Sequence, residues 1–247
     1  MSIERGLSRP AFYALRPGGW RDFVTLLHLP YTGWHLSYVA LGAAVAPTLH
    51  LDWLLATLAA FFLAVGVSAH ALDELHDRPL GTRLSDRTLI VLAVIGLVGA
   101  VGIGVAGLLI VSPSLAPLIL IGGFMLVAYN LELFGGAFHS DLWFSLAWGA
   151  FPVLTAYFAQ TATIRAQAAL AATACAVLSA AQRVLSTPVR RLRRSVTAVS
   201  GELTLADGAT ERIDASTLRT VPERALRWMS LAMPLFAAAL LFSRPWR

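Results

Sequence analysis

Ser68-Ala-His-Ala-Leu-Asp-Glu-Leu-His-Asp-Arg-Pro-Leu-Gly-Thr82 is the stretch that decides the fold class. It follows a run of about twenty mostly apolar residues, long enough to cross the hydrocarbon core of a bilayer. It then abruptly carries His70, Asp73, Glu74, His76 and Asp77. A helix continued at 3.6 residues per turn puts His70, Asp73, Glu74 and Asp77 at i, i+3, i+4 and i+7 on one face and turns His76 elsewhere. Three carboxylates on one stripe repel one another and lose stability if buried unpaired, so a divalent cation or an arginine is the expected partner. Hard oxygen ligands beside a membrane favour magnesium carrying a phosphate or diphosphate group. The plainer alternative is a helix that has reached water, with solvated charges closed off by Pro79 and Gly81.

The rest of the composition agrees with a membrane setting. Of the 247 residues, 57% are hydrophobic and 13% charged, and the mean hydropathy is +0.69, which together point to a polytopic membrane protein. The chain has no lysine, so its nineteen cations are all arginine, and fourteen acids leave a net charge of +5. In a membrane protein that excess reports topology and contact with anionic lipid; no nucleic-acid partner is expected. The single cysteine, Cys175, sits in an apolar run and specifies neither a disulfide nor a thiolate metal site. The arginines at 5, 9, 16 and 21 are not followed by a short apolar core with a cleavage site, so the first span is expected to be its own insertion signal.

Four parts are expected along the chain. Residues 1–29 form a cytoplasmic or interfacial segment, interrupted by Pro17-Gly18-Gly19. Residues 30–185 form a helical core of six spans, at 31–49, 53–72, 88–111, 115–134, 142–159 and 166–185. The glycines of the third span, from Gly96 to Gly107, read as close-packing positions. Residues 186–224 form a cytoplasmic arginine-rich loop, in which alternation around Asp207-Gly208 predicts a small β-hairpin. Residues 225–247 form a seventh span and a short tail. With the amino terminus inside, sixteen of the nineteen arginines are cytoplasmic and only Arg165, Arg244 and Arg247 lie outside, in keeping with the positive-inside rule. The expected location is a bacterial cytoplasmic membrane, with the carboxy terminus outside.

This topology brings the acidic cluster, the loop from Glu132 to Asp141 and the arginine-rich loop to one side. Polar loops closing over one end of an apolar bundle make a site for an amphiphile, with a lipid tail among the helices and a charged head at the loops. A polyprenyl diphosphate has that shape. Asp73 and Asp77 would hold magnesium on its oxygens, and Arg78, Arg183, Arg190 and Arg191 would neutralise the leaving diphosphate.

The second span and its exit resemble the first aspartate-rich motif, NDxxDxxxD, of the UbiA-type intramembrane prenyltransferases. Asp73 and Asp77 match its last two acids, while Ala69 and His70 stand on the leading Asn-Asp pair. Tyr129-Asn-Leu-Glu-Leu-Phe-Gly-Gly136, followed by Leu146-Ala-Trp-Gly-Ala-Phe-Pro152, is similar to the family's tyrosine-started segment and the glycine-containing helix after it. The likeness covers about residues 25–185. It implies an all-helical bundle around a lipid-facing cavity, a magnesium-bound isoprenoid diphosphate, and alkylation of a lipid-soluble acceptor. It also implies metal ligation by Asp73 and Asp77, with Glu74 and His70 beside them, and substrate contacts from Tyr129 and Asn130. The chain departs from the family where a second acidic motif should follow the sixth span: Gln182, Arg183 and Thr187-Pro-Val-Arg-Arg191 stand there. The family's lysine after the tyrosine falls near Phe134, and seven spans replace the usual nine.

Three other functions fit parts of the pattern. A UbiA-like cyclase would use Trp34, Tyr38, Trp148 or Tyr157 to stabilise cations. An iron or zinc site would draw on His70, Asp73, Glu74, His76, Glu132 and His139. A membrane lipid-binding or transport protein would keep the scaffold without catalysis.

Overall fold

The computed structural model describes residues 9–244; Arg5 of the amino-terminal segment and Arg247 of the tail lie outside them. The described chain is mostly helical. A short helix α1 (Trp20–Leu26) and a buried helix α2 (Leu29–Ala44) precede α3 (Leu51–Asp77), α4 (Asp86–Ile110), α5 (Pro113–Asn130), α6 (Asp141–Thr161) and α7 (Ala166–Arg194). Strands β1 (Gly201–Thr204) and β2 (Thr210–Ile213) then lead to α8 (Ala215–Phe242).

Six of these helices, α3 to α8, are long and apolar enough to cross a membrane. The outward faces of α4 carry exposed Val94, Ile95 and Val98, as expected where lipid rather than protein is the neighbour. The 31–49 stretch behaves differently. Pro47 ends its helix early, and the sixteen residues of α2 rise only about 24 Å at 1.5 Å each. Trp34, Tyr38, Val39 and Ala43 on α2 are wholly buried, because α3, α6 and α8 pack around it. Trp34 Nε1 donates to Tyr38 Oη at 2.5 Å, and Ser179 on α7 reaches the same hydroxyl at 3.4 Å.

Small residues set the closest approaches. A Cβ on Gly42 of α2 would lie 2.3 Å from the Val153 carbonyl of α6, and one on Gly149 would lie 2.7 Å from the Cys175 carbonyl of α7. On α4, Gly96 and Gly99 meet Leu63 of α3, while Ser68 Oγ donates to Ala93 O at 2.7 Å. The glycines at 96, 99, 104 and 107 meet side chains or backbone of neighbouring helices, whereas Gly102 faces open space.

Two helices contain a wide turn: residues Phe62–Ala69 of α3 and Ser145–Ala150 of α6 are π-helical. Such turns shift the register of the side chains beyond them and leave carbonyls for other donors. His35 Nδ1 of α2 donates to the carbonyl of Trp148 at 3.0 Å.

About half of the expected loop at 186–224 is helical. α7 continues through Pro188 to Arg194, and α8 starts at Ala215 and passes Pro222, so the connection shrinks to residues 195–214. Pro188 removes only the bond that Val184 O would have accepted. Arg191, Arg193 and Arg194 in the last turn favour the negative end of the helix dipole. Arg193 then forks onto both oxygens of Glu223 on α8 in a buried ion pair, and its Nη1 donates to Arg9 O at 2.8 Å. Within the connection β1 and β2 pair antiparallel, Glu202 opposite Arg212, around a turn in which Gly208 has φ +87°. The amino-terminal segment does not simply lie on a surface. Ala11 and Ala14 are buried against Leu80, and buried Asp22 accepts from Gly18 N and Arg83 N.

Candidate functional site

Two cavities share Trp148 in their walls. One, of about 400 Å³, is polar and is walled by the amino-terminal segment, the ends of α3 and α7, and the turn between α5 and α6. The other, of about 290 Å³, is apolar and runs among α3, α4, α5 and α6 from Trp53 and Ile110 to Trp148. Consecutive turns carry each helix from one to the other: Val65 and Leu126 line the apolar groove, Ala69 and Tyr129 the polar chamber.

On α3 the stripe facing the chamber is centred on Asp73, with His70, His76 and Asp77 around it. Glu74 lies about 100° away around the helix and points into the protein. Its carboxylate is wholly buried and accepts from Leu80 N at 2.9 Å, Thr82 N at 2.8 Å and Thr82 Oγ1 at 2.9 Å. Glu74, expected beside His70, Asp73 and Asp77 on the chamber face, therefore spends its carboxylate on the 78–82 turn and lines neither cavity. His76, expected to point elsewhere, borders the chamber. Among the described residues no three His, Cys, Asp or Glu side chains form a group that could hold a metal ion. This holds for the larger iron or zinc set as well.

Stacked imidazoles close the floor. His28 and His70 lie with ring centroids 4.0 Å apart. His70 Nδ1 donates to Gly66 O at 3.2 Å, which leaves Nε2 with the lone pair. His28 has φ +46°, a backbone conformation unusual for a non-glycine residue, and its Nδ1 is 3.1 Å from Tyr13 Oη. Burial first, then neighbouring His70, holds His28 well below the ordinary imidazole range, and burial pushes the Tyr13 phenol up.

The opposite wall is α7. Gln182, Arg183, Ser186, Val189, Arg190 and Arg194 line it, and Arg183, Arg190 and Arg194 at i, i+7 and i+11 fall within about 40° of one another. Arg183 Nε donates to Asp141 Oδ1 at 2.6 Å and its guanidinium lies 5.2 Å over the Phe144 ring. Gln182 is buried, and its Oε1 has no hydrogen-bond partner among the described residues. Arg78 is turned away, paired with Asp86 and donating to Leu84 O at 2.6 Å; it borders neither cavity. Arg191 is exposed on the outer side of α7.

Aromatic rings cluster around Trp148. Phe144 stacks on Trp148 with planes 2° apart, and Tyr129 lies between Trp148 and His139, at 4.5 and 4.4 Å. His139 Nδ1 donates to Tyr129 O at 3.0 Å and is 3.7 Å from Glu132. Asn130 borders the chamber with its Nδ2 held by Leu126 O at 2.7 Å. Of the four aromatics considered for cation stabilisation, Trp34, Tyr38 and Tyr157 are wholly buried and only Trp148 borders a cavity.

Tyr13, His28 and Arg194 were not signalled as site residues by the sequence. Arg194 lies one turn beyond Arg190 and becomes legible once the helix is carried past Pro188. Tyr13 and His28 arrive through tertiary folding and have no local signature. No family model, curated protein or solved structure matches the chain.

Proposed function

We propose that the protein is a membrane-embedded, UbiA-like prenyltransferase that uses a magnesium-bound isoprenoid diphosphate to alkylate a lipid-soluble acceptor. The observation that carries this reading is that a polar chamber and an apolar groove lie against the same residue, Trp148. An amphiphile would put its head in the first and its tail in the second. The reading includes seven crossings, with α2 as a short inner one, and the chamber on the cytoplasmic side.

Two carboxylates suit magnesium in this role, because that ion is commonly held by one or two carboxylates together with substrate phosphates. Asp73 and Asp77 border the chamber on successive turns of α3 and would hold it. When bound, the ion would neutralise charge on the diphosphate oxygens. From the facing wall Arg190 would add guanidinium N–H donors, which stabilise negative charge as it develops on a leaving diphosphate. The unpartnered Gln182 Oε1 would accept from an acceptor hydroxyl. Trp148 and Phe144 would exclude water beside the allylic carbon.

The test is release of inorganic diphosphate from C10 to C20 prenyl diphosphates by the purified protein, with quinone precursors and lipid acceptors present. Release is expected only with magnesium, and Asp73→Asn and Asp77→Asn are each expected to lower it on the order of a hundredfold. Undiminished release in both variants would remove the carboxylates from the reaction. No release across the panel, with prenyl diphosphate still bound, would favour the second reading, a non-catalytic lipid-binding protein. The observation behind that reading is that Glu74, the third acid of the cluster, is committed to the 78–82 turn.

A further inference from the structure

The polar chamber has two unlike walls. Asp73 and Asp77 stand on α3, and Arg190 and Arg194 stand on α7, with no carboxylate within 4.0 Å of either guanidinium among the described residues. Arg183 is different, since Asp141 already answers its charge. Among the described residues Arg190 donates only to Thr187 Oγ1, at 3.4 Å. Like charges at i and i+4 on one helix face destabilise it by a few tenths of a kcal/mol. The helix dipole compensates a cation in the last turn, but it does not explain why Arg190 and the partly solvent-exposed Arg194 both line the chamber while Arg191 between them lines neither cavity.

We propose that Arg190 and Arg194 form a metal-independent site for the terminal phosphoryl group of the ligand. The anion lies between the two guanidinium groups, which replace the metal as the principal anchor on the α7 side. This rests on the reading that an anionic amphiphile occupies the chamber. The planar five-donor fork of arginine binds phosphate oxygens bidentately and keeps its charge at every accessible pH. Asp73, on the wall facing both arginines, opposes the anion when it is ionised and no cation covers it. The two walls therefore respond to magnesium with opposite sign.

The experiment is equilibrium binding of farnesyl diphosphate and farnesyl monophosphate to the full chain in detergent, in EDTA and in magnesium. In EDTA the wild type is expected to bind both ligands. Arg190→Gln and Arg194→Gln are each expected to weaken that binding tenfold or more, and Arg191→Gln to leave it unchanged. Asp73→Asn is expected to tighten binding in EDTA severalfold and to abolish the gain from magnesium. Arg194→Lys, which keeps the charge and loses the fork, is expected to restore part of the affinity; thermal unfolding of each variant identifies any that has not folded. Competition by inorganic diphosphate supports a free anion as occupant of this site, and failure to compete at hundredfold excess supports the phosphorylated lipid. Binding of wild type that vanishes in EDTA but persists in magnesium overturns the metal-independent site and leaves the proposed function standing. Binding of neither ligand in either condition overturns both.

Discussion

Glu74 accepts three hydrogen bonds from the 78–82 turn, while Asp73, the residue before it, borders the open chamber. Adjacent residues on a helix point about 100° apart, so an acidic pair splits readily between the interior and a cavity. The Glu74 carboxylate satisfies the backbone N–H groups of Leu80 and Thr82, both buried residues. Truncation leaves these donors unpaired, which costs about 1–3 kcal/mol for each group. Glu74→Ala is therefore expected to lower stability by about 2–6 kcal/mol, and Glu74→Gln, which retains one acceptor oxygen, by less. Thermal unfolding in detergent checks this, and an unshifted transition for Glu74→Ala would remove the turn-organising role.

At the scale of elements, α7 and α8 pack as a pair held near one end by Arg193 and Glu223. The start of α8 is fixed by a capping box in which Asp214 accepts from Thr217 N at 2.8 Å and Thr217 Oγ1 reaches Asp214 N. The Ser216 hydroxyl, then the Thr217 backbone N–H, draws the Asp214 carboxyl from its ordinary 3.8 down to about 2. A carboxyl group whose folded value lies below its unfolded one stabilises the fold above the unfolded value and ceases to do so as pH falls through the folded one. The first turn of α8 is therefore expected to hold down to pH 3.8 and to loosen towards about 2. The amide shift and exchange rate of Thr217, followed by NMR, report it. Asp214→Asn keeps an N-cap and is expected to abolish the pH dependence; an unaltered titration would assign the effect elsewhere.

Over the whole molecule, α2 couples packing to the chamber. Gly42 lets it lie against Val153 of α6, and about two helix turns away His35 holds the carbonyl of Trp148, the residue shared by both cavities. Gly42→Ala pushes the two backbones apart, at a cost of about 1–3 kcal/mol for overpacking. It is expected to lower the unfolding temperature and also weaken ligand binding, because the Trp148 wall moves with α6. Gly102→Ala, whose added methyl meets nothing, is expected to change neither. Loss of stability in Gly42→Ala with unchanged binding would separate the helix contact from the site.

Sequence by itself determined the membrane class, the main apolar helices and the Asp207-Gly208 hairpin, because apolar run length and turn chemistry are local properties. It also picked out Asp73, Asp77, Tyr129, Asn130, Arg183 and Arg190 as site residues, and the fold brings all six to one chamber. Tertiary structure decided the rest. The face of α3 that looks into the chamber depends on what packs against the other faces, which is why Glu74 and His76 exchanged their expected places. Proline at 188 and 222 reads locally as a break, but the paired helices α7 and α8 supply enough contact to carry the helix through it. Tyr13 and His28 reach the chamber only because a folded amino-terminal segment packs on the end of α3, a contact between residues far apart in the chain that no local pattern records.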